Sequence, residues 1–445
     1  MTFSMALSAI IFVIAYIIII TEKIDRVIVA IAGGLAMVLL NLLTQDQAFS
    51  AIDLHTLSLL IGMMVIVMIT ARTGIFEYIS IKMVKLAKGE PWKILVLLSV
   101  ITAVISSVLD NVTTIMLVLP VSLDICKELR LKYTPFIISL VFASNIGGTA
   151  TLIGDPPNIM IAEGSGWSFM YFIKNNAPLV FLLLIVTIFS FLVIYRKQLH
   201  AKPENKQKVL QRNEKEAIKD KSLMIKSLII IGLTVLGFVL HDKLAYPLKL
   251  VNTVYGHNLF HFKGSMGYPT STIAVAGAVI LLLISKIKTE KVFKEIEWKT
   301  LFFFAGLFML VEGIKKSGLL DFIARNIVDA TGENTTFLVL SILWLSAIAS
   351  AFLDNIPFTA TMIPIIQKIG ILTGISLTPL WLALSLGACL GGNGTIIGAS
   401  ANVVASGMAE EMGHKITFRQ YFKVSFPLTL LTIGISTLYL LLFYL

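Results

Sequence analysis

The sequence predicts an all-α polytopic membrane protein built as two inverted repeats, each with about five spanning helices (one of them broken) and a re-entrant helical hairpin. Three observations predict it. With 57% hydrophobic and 14% charged residues over 445 positions, and a mean hydropathy of +0.89, the composition lies outside the range of soluble domains. Laying residues 27 to 158 over 271 to 402, an ungapped shift of 244, superposes the two most unusual stretches of the chain on each other. Both stretches are polar, glycine-rich interruptions of apolar segments, and such interruptions at matching places in two halves point to a transporter's binding site.

The elements follow in order from hydropathy. Apolar runs near the ~20 residues needed to cross a bilayer fall at about 3 to 20, 26 to 43, 57 to 71, 135 to 162 with a break, and 178 to 195. The second half repeats them at about 225 to 240, 270 to 285, 300 to 314, 379 to 408 with a break, and 427 to 445. Each half adds a pair of apolar arms, Ile94 to Leu109 with Val112 to Ile125, and Phe337 to Leu353 with Ile356 to Ile366, joined only by an Asp-Asn tip. Such a hairpin returns the chain to the side it entered from, so each half makes an odd number of crossings and the halves are inverted. Residues 1–195 then form the first repeat, 196–224 a basic cytoplasmic linker, and 225–445 the second repeat.

Basic residues set the orientation, because cytoplasmic loops are enriched in Lys and Arg. Placing the N-terminus outside puts 28 of the 36 Lys and Arg in inner loops, ten of them in 196–226. Both termini are expected outside, in a plasma or bacterial inner membrane. The linker accounts for most of the +10 net charge. It reads as a solvated, lipid-facing or partly disordered connector rather than a nucleic-acid site. Residues 1 to 20 lack a basic leader and are kept as the first span. Cys126 and Cys389 are unmatched by the repeat, so neither a disulfide nor a metal framework is expected, and no cofactor. All six histidines fall in predicted loops, which leaves no histidine proton relay through the membrane.

Asp110 and Asp354 are the most informative residues, since a carboxylate within an apolar segment costs roughly 2.5 to 3.5 kcal/mol even on lenient insertion scales. One reading is helix capping by the tip, helped by Pro357 just inside the second arm. The other is that Asp110 and Asp354, with Asn111, Asn355, Thr113 and Thr114, bind a cation or take up a proton. Hard oxygen ligands of this kind suit a small ion such as sodium.

The second stretch, Asn145 to Asn158, holds Gly147, Gly148, Thr149, Thr151, Gly154, Asp155, Pro156 and Pro157, and cannot be a continuous helix. Its partner carries Gly391, Gly392, Asn393, Thr395, Gly398 and Asn402. Unwound backbone at membrane depth lines a cavity or is buried in protein, and half-helix ends there present dipoles to ions. Close helix packing is the alternative use of these glycines. The repeats differ where chemistry can differ: Asp155 matches Ala399, Thr149 matches Asn393, and Pro156-Pro157 matches Ser400-Ala401. Asp155 is a candidate for substrate choice or proton coupling, with a turn or N-cap role as the alternative. Glu77 and Asp321 also match, on amphipathic stretches read as interfacial helices.

Leu109-Asp-Asn-Val-Thr-Thr114 with Asn145 to Asn158, and Leu390 to Asn402, resemble the signatures of the ion transporter superfamily, in the branch of arsenical-pump-type permeases and the melanocyte P protein. The resemblance covers nearly the whole chain. It implies two re-entrant hairpins, two broken helices, a homodimer held by scaffold domains, and elevator-like movement of a transport domain. It also implies that the tips, including Thr359, and the broken helices bind sodium and substrate. Where the dicarboxylate branch has Ser-Asn-Thr, both tips here carry Asp, which adds negative charge, so dicarboxylate specificity is not carried over.

The sequence therefore leads to a secondary active transporter of a small inorganic or organic anion, coupled to sodium or protons, with the lipid bilayer as its surroundings. Sodium/proton antiport without an anion, or arsenite-type efflux, are the alternatives within transport. An intramembrane aspartyl protease does not fit, because its Gly-Asp pair needs a second glycine that Leu152-Ile-Gly-Asp155 lacks, and Asp155 has no acidic twin. No enzyme activity is expected.

Overall fold

The computed structural model describes residues 3–21, 23–255, 269–332 and 334–445, with side chains for all of these except 20 and 242–255; His257 and His261 lie outside the described residues. Every regular element among the described residues is helical. The first half runs α1 Phe3–Thr21, α2 Arg26–Leu39, α3 Gln45–Ser50, α4 Leu54–Ala71, α5 Ile75–Leu86, α6 Pro91–Ser106, α7 Asn111–Leu129, α8 Thr134–Gly148, α9 Pro156–Ser165 and α10 Phe169–Tyr195. A linker helix, α11 Pro203–Leu210, leads to α12 Lys221–Tyr255, α13 Thr270–Ser285, α14 Thr289–Phe293, α15 Trp298–Lys316 and α16 Leu319–Thr331. The chain ends with α17 Thr335–Phe352, α18 Asn355–Thr373, α19 Thr378–Gly391, α20 Ser400–Glu411 and α21 Phe418–Phe443. Among the described residues six helices are long and apolar enough to cross a bilayer, and five shorter apolar ones accompany them.

The hairpins are α6 with α7 and α17 with α18. The broken spans are α8 with α9 and α19 with α20. Gly74 and Gly318, matched by the repeat, take φ of +81° and +82°, a left-handed turn open to glycine that lets α5 and α16 leave the spans before them at the same point. His241 lies inside α12 rather than in the loop expected for it.

The helices sort into two bundles. In one, α2 packs along α15 and α4 along α13, with α1 and α12 beside them. Glycines set these approaches: a Cβ on Gly306 would meet the Ala30 backbone at 2.6 Å, and one on Gly62 the Ala274 backbone at 2.7 Å. Each contact is the image of the other under the shift of 244, so each pair joins a helix of one half to a helix of the other. The second bundle holds both hairpins, both broken spans, α10 and α21.

The linker is more firmly held than a solvated connector. Lys206 pairs with Glu90 at 2.7 Å, Arg212 with Glu128 at 2.5 Å, and Lys85 with Glu214, while Lys219 N–H donates to the Thr73 carbonyl at 2.9 Å. Two of the basic residues that imply a charged loop thus pin it to acids at the ends of α6 and α7, and its own Glu214 is held by Lys85 at the end of α5. The Lys206 ammonium on Glu90 holds that carboxyl below the usual range.

Candidate functional site

Both hairpin tips are built by capping. Asp110 Oδ1 accepts from the Thr113 N–H at 2.8 Å and Oδ2 from the Thr113 hydroxyl at 2.6 Å, so Thr113 completes the cap of α7. Asp354 Oδ1 accepts from the Ile356 N–H at 3.1 Å at the start of α18. Beyond the cap the two carboxylates part company. Asp354 Oδ2 receives Arg26 Nη1 at 2.5 Å and the Ser400 hydroxyl at 3.0 Å, and Arg26 also donates to Ser400 at 3.0 Å. Among the described residues no cation pairs with Asp110 in this way.

The asparagines beside them use their oxygens differently. Asn111 Oδ1 accepts from Ser106 at 2.7 Å and its carbonyl from Ser144 at 3.1 Å, while its side chain also approaches Asp155. Asn355 reaches across the bundle, Nδ2 donating to Asp155 Oδ1 at 3.5 Å and Oδ2 at 3.3 Å. Asp155 stands at the N-cap position of α9 yet makes no side-chain capping bond. Its buried carboxylate lies instead among Cys389 and the tip asparagines of both hairpins.

The breaks are held open by matched contacts. Thr151 donates to the Ser107 carbonyl and Thr395 to that of Ala351, both at 2.5 Å, and each pair is the other's image under the shift. Asn158 Nδ2 donates to the carbonyls of Gly148 and Thr151 at 3.3 and 3.1 Å; Asn402 Nδ2 donates to those of Gly392 and Thr395 at 2.7 and 2.8 Å. These bonds satisfy carbonyls that the broken helices leave free. The glycines serve close packing: a Cβ on Gly147 would lie 2.5 Å from Ala103 Cα and one on Gly391 2.6 Å from Ala347 Cα, while one on Gly148 would lie 2.2 Å from Asn111 Oδ1.

Behind the tips lies a buried polar layer. Asn145 Nδ2 donates to Asn393 Oδ1 at 2.9 Å and to Asn402 Oδ1 at 3.0 Å, and Thr149 donates to the Asn145 carbonyl at 2.8 Å. The Ser385 hydroxyl and the Cys389 thiol donate to Asn158 Oδ1 at 2.8 and 3.3 Å, and Asn176 donates to Ser385 at 3.0 Å. The buried oxygens Asn145 Oδ1, Thr114 Oγ1 and Thr359 Oγ1 have no hydrogen-bond partner among the described residues.

One cavity of about 480 Å³ between the two bundles collects Asp110, Asn111, Asp155 and Asn355 from the hairpin bundle. Facing them are Arg26, Glu295, Glu297 and Lys299 at the starts of α2 and α15. Asp354 borders an adjoining cavity of about 270 Å³, with Tyr16 and Pro357, on the far side of the Arg26 bridge. The remaining expected residues, Thr114, Asn145, Thr149, Asn158, Thr359, Asn393 and Asn402, lie in the packed interior. Glu297, in the loop just ahead of α15, has its carboxyl pushed up to about 7 by burial and then by the neighbouring Asp110 charge. Sequence reading missed Arg26, Glu297, Asn176 and Ser385. Arg26 looks like any inner-loop cation, and Asn176 stands just ahead of the apolar run 178 to 195, so only the extension of α10 back to Phe169 brings it inside a span.

Two hairpins, two broken spans and an acid-lined cavity between bundles define a multi-pass membrane transporter, and the comparisons agree. A family model described as a citrate transporter, CitMHS, matches residues 16–387, and the chain belongs to this family, within the ion transporter superfamily. An uncharacterized transporter of Mycobacterium bovis is 37% identical over 437 residues, covering 97% of this chain and 96% of that protein. The P protein of Homo sapiens is 31% identical over 488 residues, covering 96% of this chain and 58% of its own length. The crystal structure of the Alcanivorax borkumensis YdaH transporter shares the fold, with a TM-score of 0.53 at 15% identity over 92% of this chain and 88% of that one.

Proposed function

We propose that this transporter moves a small anion together with sodium or protons, by carrying its site past a fixed bundle in an elevator-type cycle of a homodimer. The observation that carries this reading is the single cavity in which both halves' tip asparagines and the unmatched Asp155 face a second bundle across an interface. A moving hairpin bundle would take Asp110, Asn111, Asp155 and Asn355 with it and leave Arg26, Glu297 and Lys299 behind. The two halves are inverted in this scheme, with the termini outside and the linker in the cytoplasm.

Sodium is supported by donor chemistry. The buried, unpartnered oxygens of Asn145, Thr114 and Thr359 are hard, uncharged donors, the kind of ligand that suits an alkali cation. The family's description as citrate transporters makes an organic carboxylate a natural substrate, but four acids against two cations line the cavity. An anion would enter only with cations offsetting that charge. The same excess of acids favours a second reading, sodium/proton exchange with no anion.

Tracer sodium flux into proteoliposomes separates the two. Flux that needs one anion from a panel, citrate included, supports symport and identifies the substrate class. Flux driven by a pH gradient alone supports exchange and overturns anion coupling.

A further inference from the structure

The bridge among Arg26, Asp354 and Ser400 joins the two bundles at one place and is not repeated in the other half. Arg26 is the first residue of α2, and the first residue of α13, at the position 244 later, is Thr270. Asp354 matches Asp110, and Ser400 matches Pro156. The mirror image of the bridge therefore consists of a threonine, a carboxylate and a proline: the cation and the serine hydroxyl are both missing.

We infer that Arg26 is a one-sided latch, holding the transporter in the facing state seen here, with no equivalent in the opposite state. In this state Arg26 ties the fixed bundle to the tip of the second hairpin, and its guanidinium also lies 5.2 Å from the centre of the Phe303 ring, which anchors it on its own bundle. Tyr16 reinforces the same junction, its hydroxyl donating to the Pro357 carbonyl at 2.6 Å. When the hairpin bundle shifts, Asp354 leaves Arg26, and by the repeat Asp110 comes to the start of α13, where Thr270 offers no charge. A charge pair made in one state only shifts the equilibrium by its full differential energy. The Arg26 side chain is 35% exposed and that of Asp354 11%, so solvent weakens the pair without removing it.

The inference depends on the proposed exchange of facing states, and its test reads that exchange directly. Met116, 40% exposed on the cavity wall, and its repeat partner Ala360, 4% exposed, report opposite states. Met116→Cys and Ala360→Cys are each labelled in membrane vesicles with an impermeant maleimide applied to either face. Arg26→Thr should slow labelling at Met116→Cys and speed it at Ala360→Cys, changing their ratio by about tenfold. Arg26→Lys, which keeps the charge, should return the ratio toward that of the parent. Thr270→Arg should build the mirror latch on Asp110 and move the ratio the same way as Arg26→Thr. If Ala360→Cys labels in the parent at a rate these variants leave unchanged, the latch is overturned while alternating exposure stands. If Ala360→Cys stays unlabelled in every variant while transport proceeds, exchange of facing states falls and the latch falls with it.

Discussion

The two hairpin tips begin from the same Asp-Asn pair and finish in different electrostatic surroundings. Asp110 spends both oxygens on Thr113, so its charge is answered by its own helix start. Asp354 divides its oxygens between its helix start and Arg26 of the other bundle. Asn111 takes a bond from Ser106 that Asn355 has no counterpart for, and both asparagines approach Asp155, the acid without a twin. The repeated residues build the shape of the site, and the unrepeated ones, Arg26, Asp155 and Ser400, differentiate its charge. A duplicated frame can thus hold two unlike half-sites without changing its backbone.

The sharpest break of this comparison comes from matched glycines. A methyl group on Gly148 meets Asn111 Oδ1 at 2.2 Å and the Gly154 carbonyl at 2.7 Å, while at Gly392 the closest atoms are 3.0 and 3.2 Å away. Gly148→Ala should abolish transport and cost about 3 kcal/mol by overpacking, and Gly392→Ala about 1 kcal/mol with transport retained. Thermal unfolding in detergent together with uptake assays checks both, and equal effects at the two positions would show that the two breaks tolerate a methyl group alike.

Asp155→Asn comes next. It preserves size and a hydrogen bond to Asn355 while removing the unmatched charge, so the fold should be unaffected and cation-dependent uptake should fall roughly tenfold or more. Uptake with an unchanged cation requirement would reduce Asp155 to a structural role. For the tips themselves, asparagine caps a helix about as well as aspartate, so Asp110→Asn should leave thermal stability near that of the parent. Asp354→Asn strands Arg26 and should cost about 1 to 2 kcal/mol, limited by the exposure of the guanidinium. Identical melting temperatures for the two variants would erase the distinction between the tips.

Much of this was legible in the sequence because repeats and polar interruptions are local signals. The shift of 244 located Thr151 and Thr395, Asn158 and Asn402, and both Asp-Asn tips before any contact was known, and the hairpins and breaks lie where glycine, proline and the Asp-Asn tips put them. Arg26 was invisible for a physical reason: its partner is 328 residues away, and a cation at the inner end of a span is what orientation alone predicts. Asp155 was read as either cap or functional acid. Only the packing of α9 against α18 settles that its oxygens face Asn355. The linker misled through composition, since ten basic residues suggest solvation until Glu90 and Glu128 are brought beside two of them and Lys85 beside the linker's own Glu214.

Glu297 gives the smallest expected effect and the one most specific to the cavity. It matches Asp53 of the first half, and both accept a hydroxyl from the threonine three residues on, Thr300 and Thr56. Only Glu297 faces the cavity with Asp110. With its carboxyl raised to about 7, chiefly by burial and further by Asp110, it is largely neutral below that pH and charged above it. Ionisation adds a negative charge beside a carboxylate, so anion uptake should decline as pH on the Glu297 side rises through about 7. Glu297→Gln should flatten that part of the profile, changing uptake by about twofold to threefold at pH 8 and little at pH 6. A pH profile that keeps its slope in Glu297→Gln would transfer the titration to the membrane aspartates and bring the two halves of the cavity closer to equivalence.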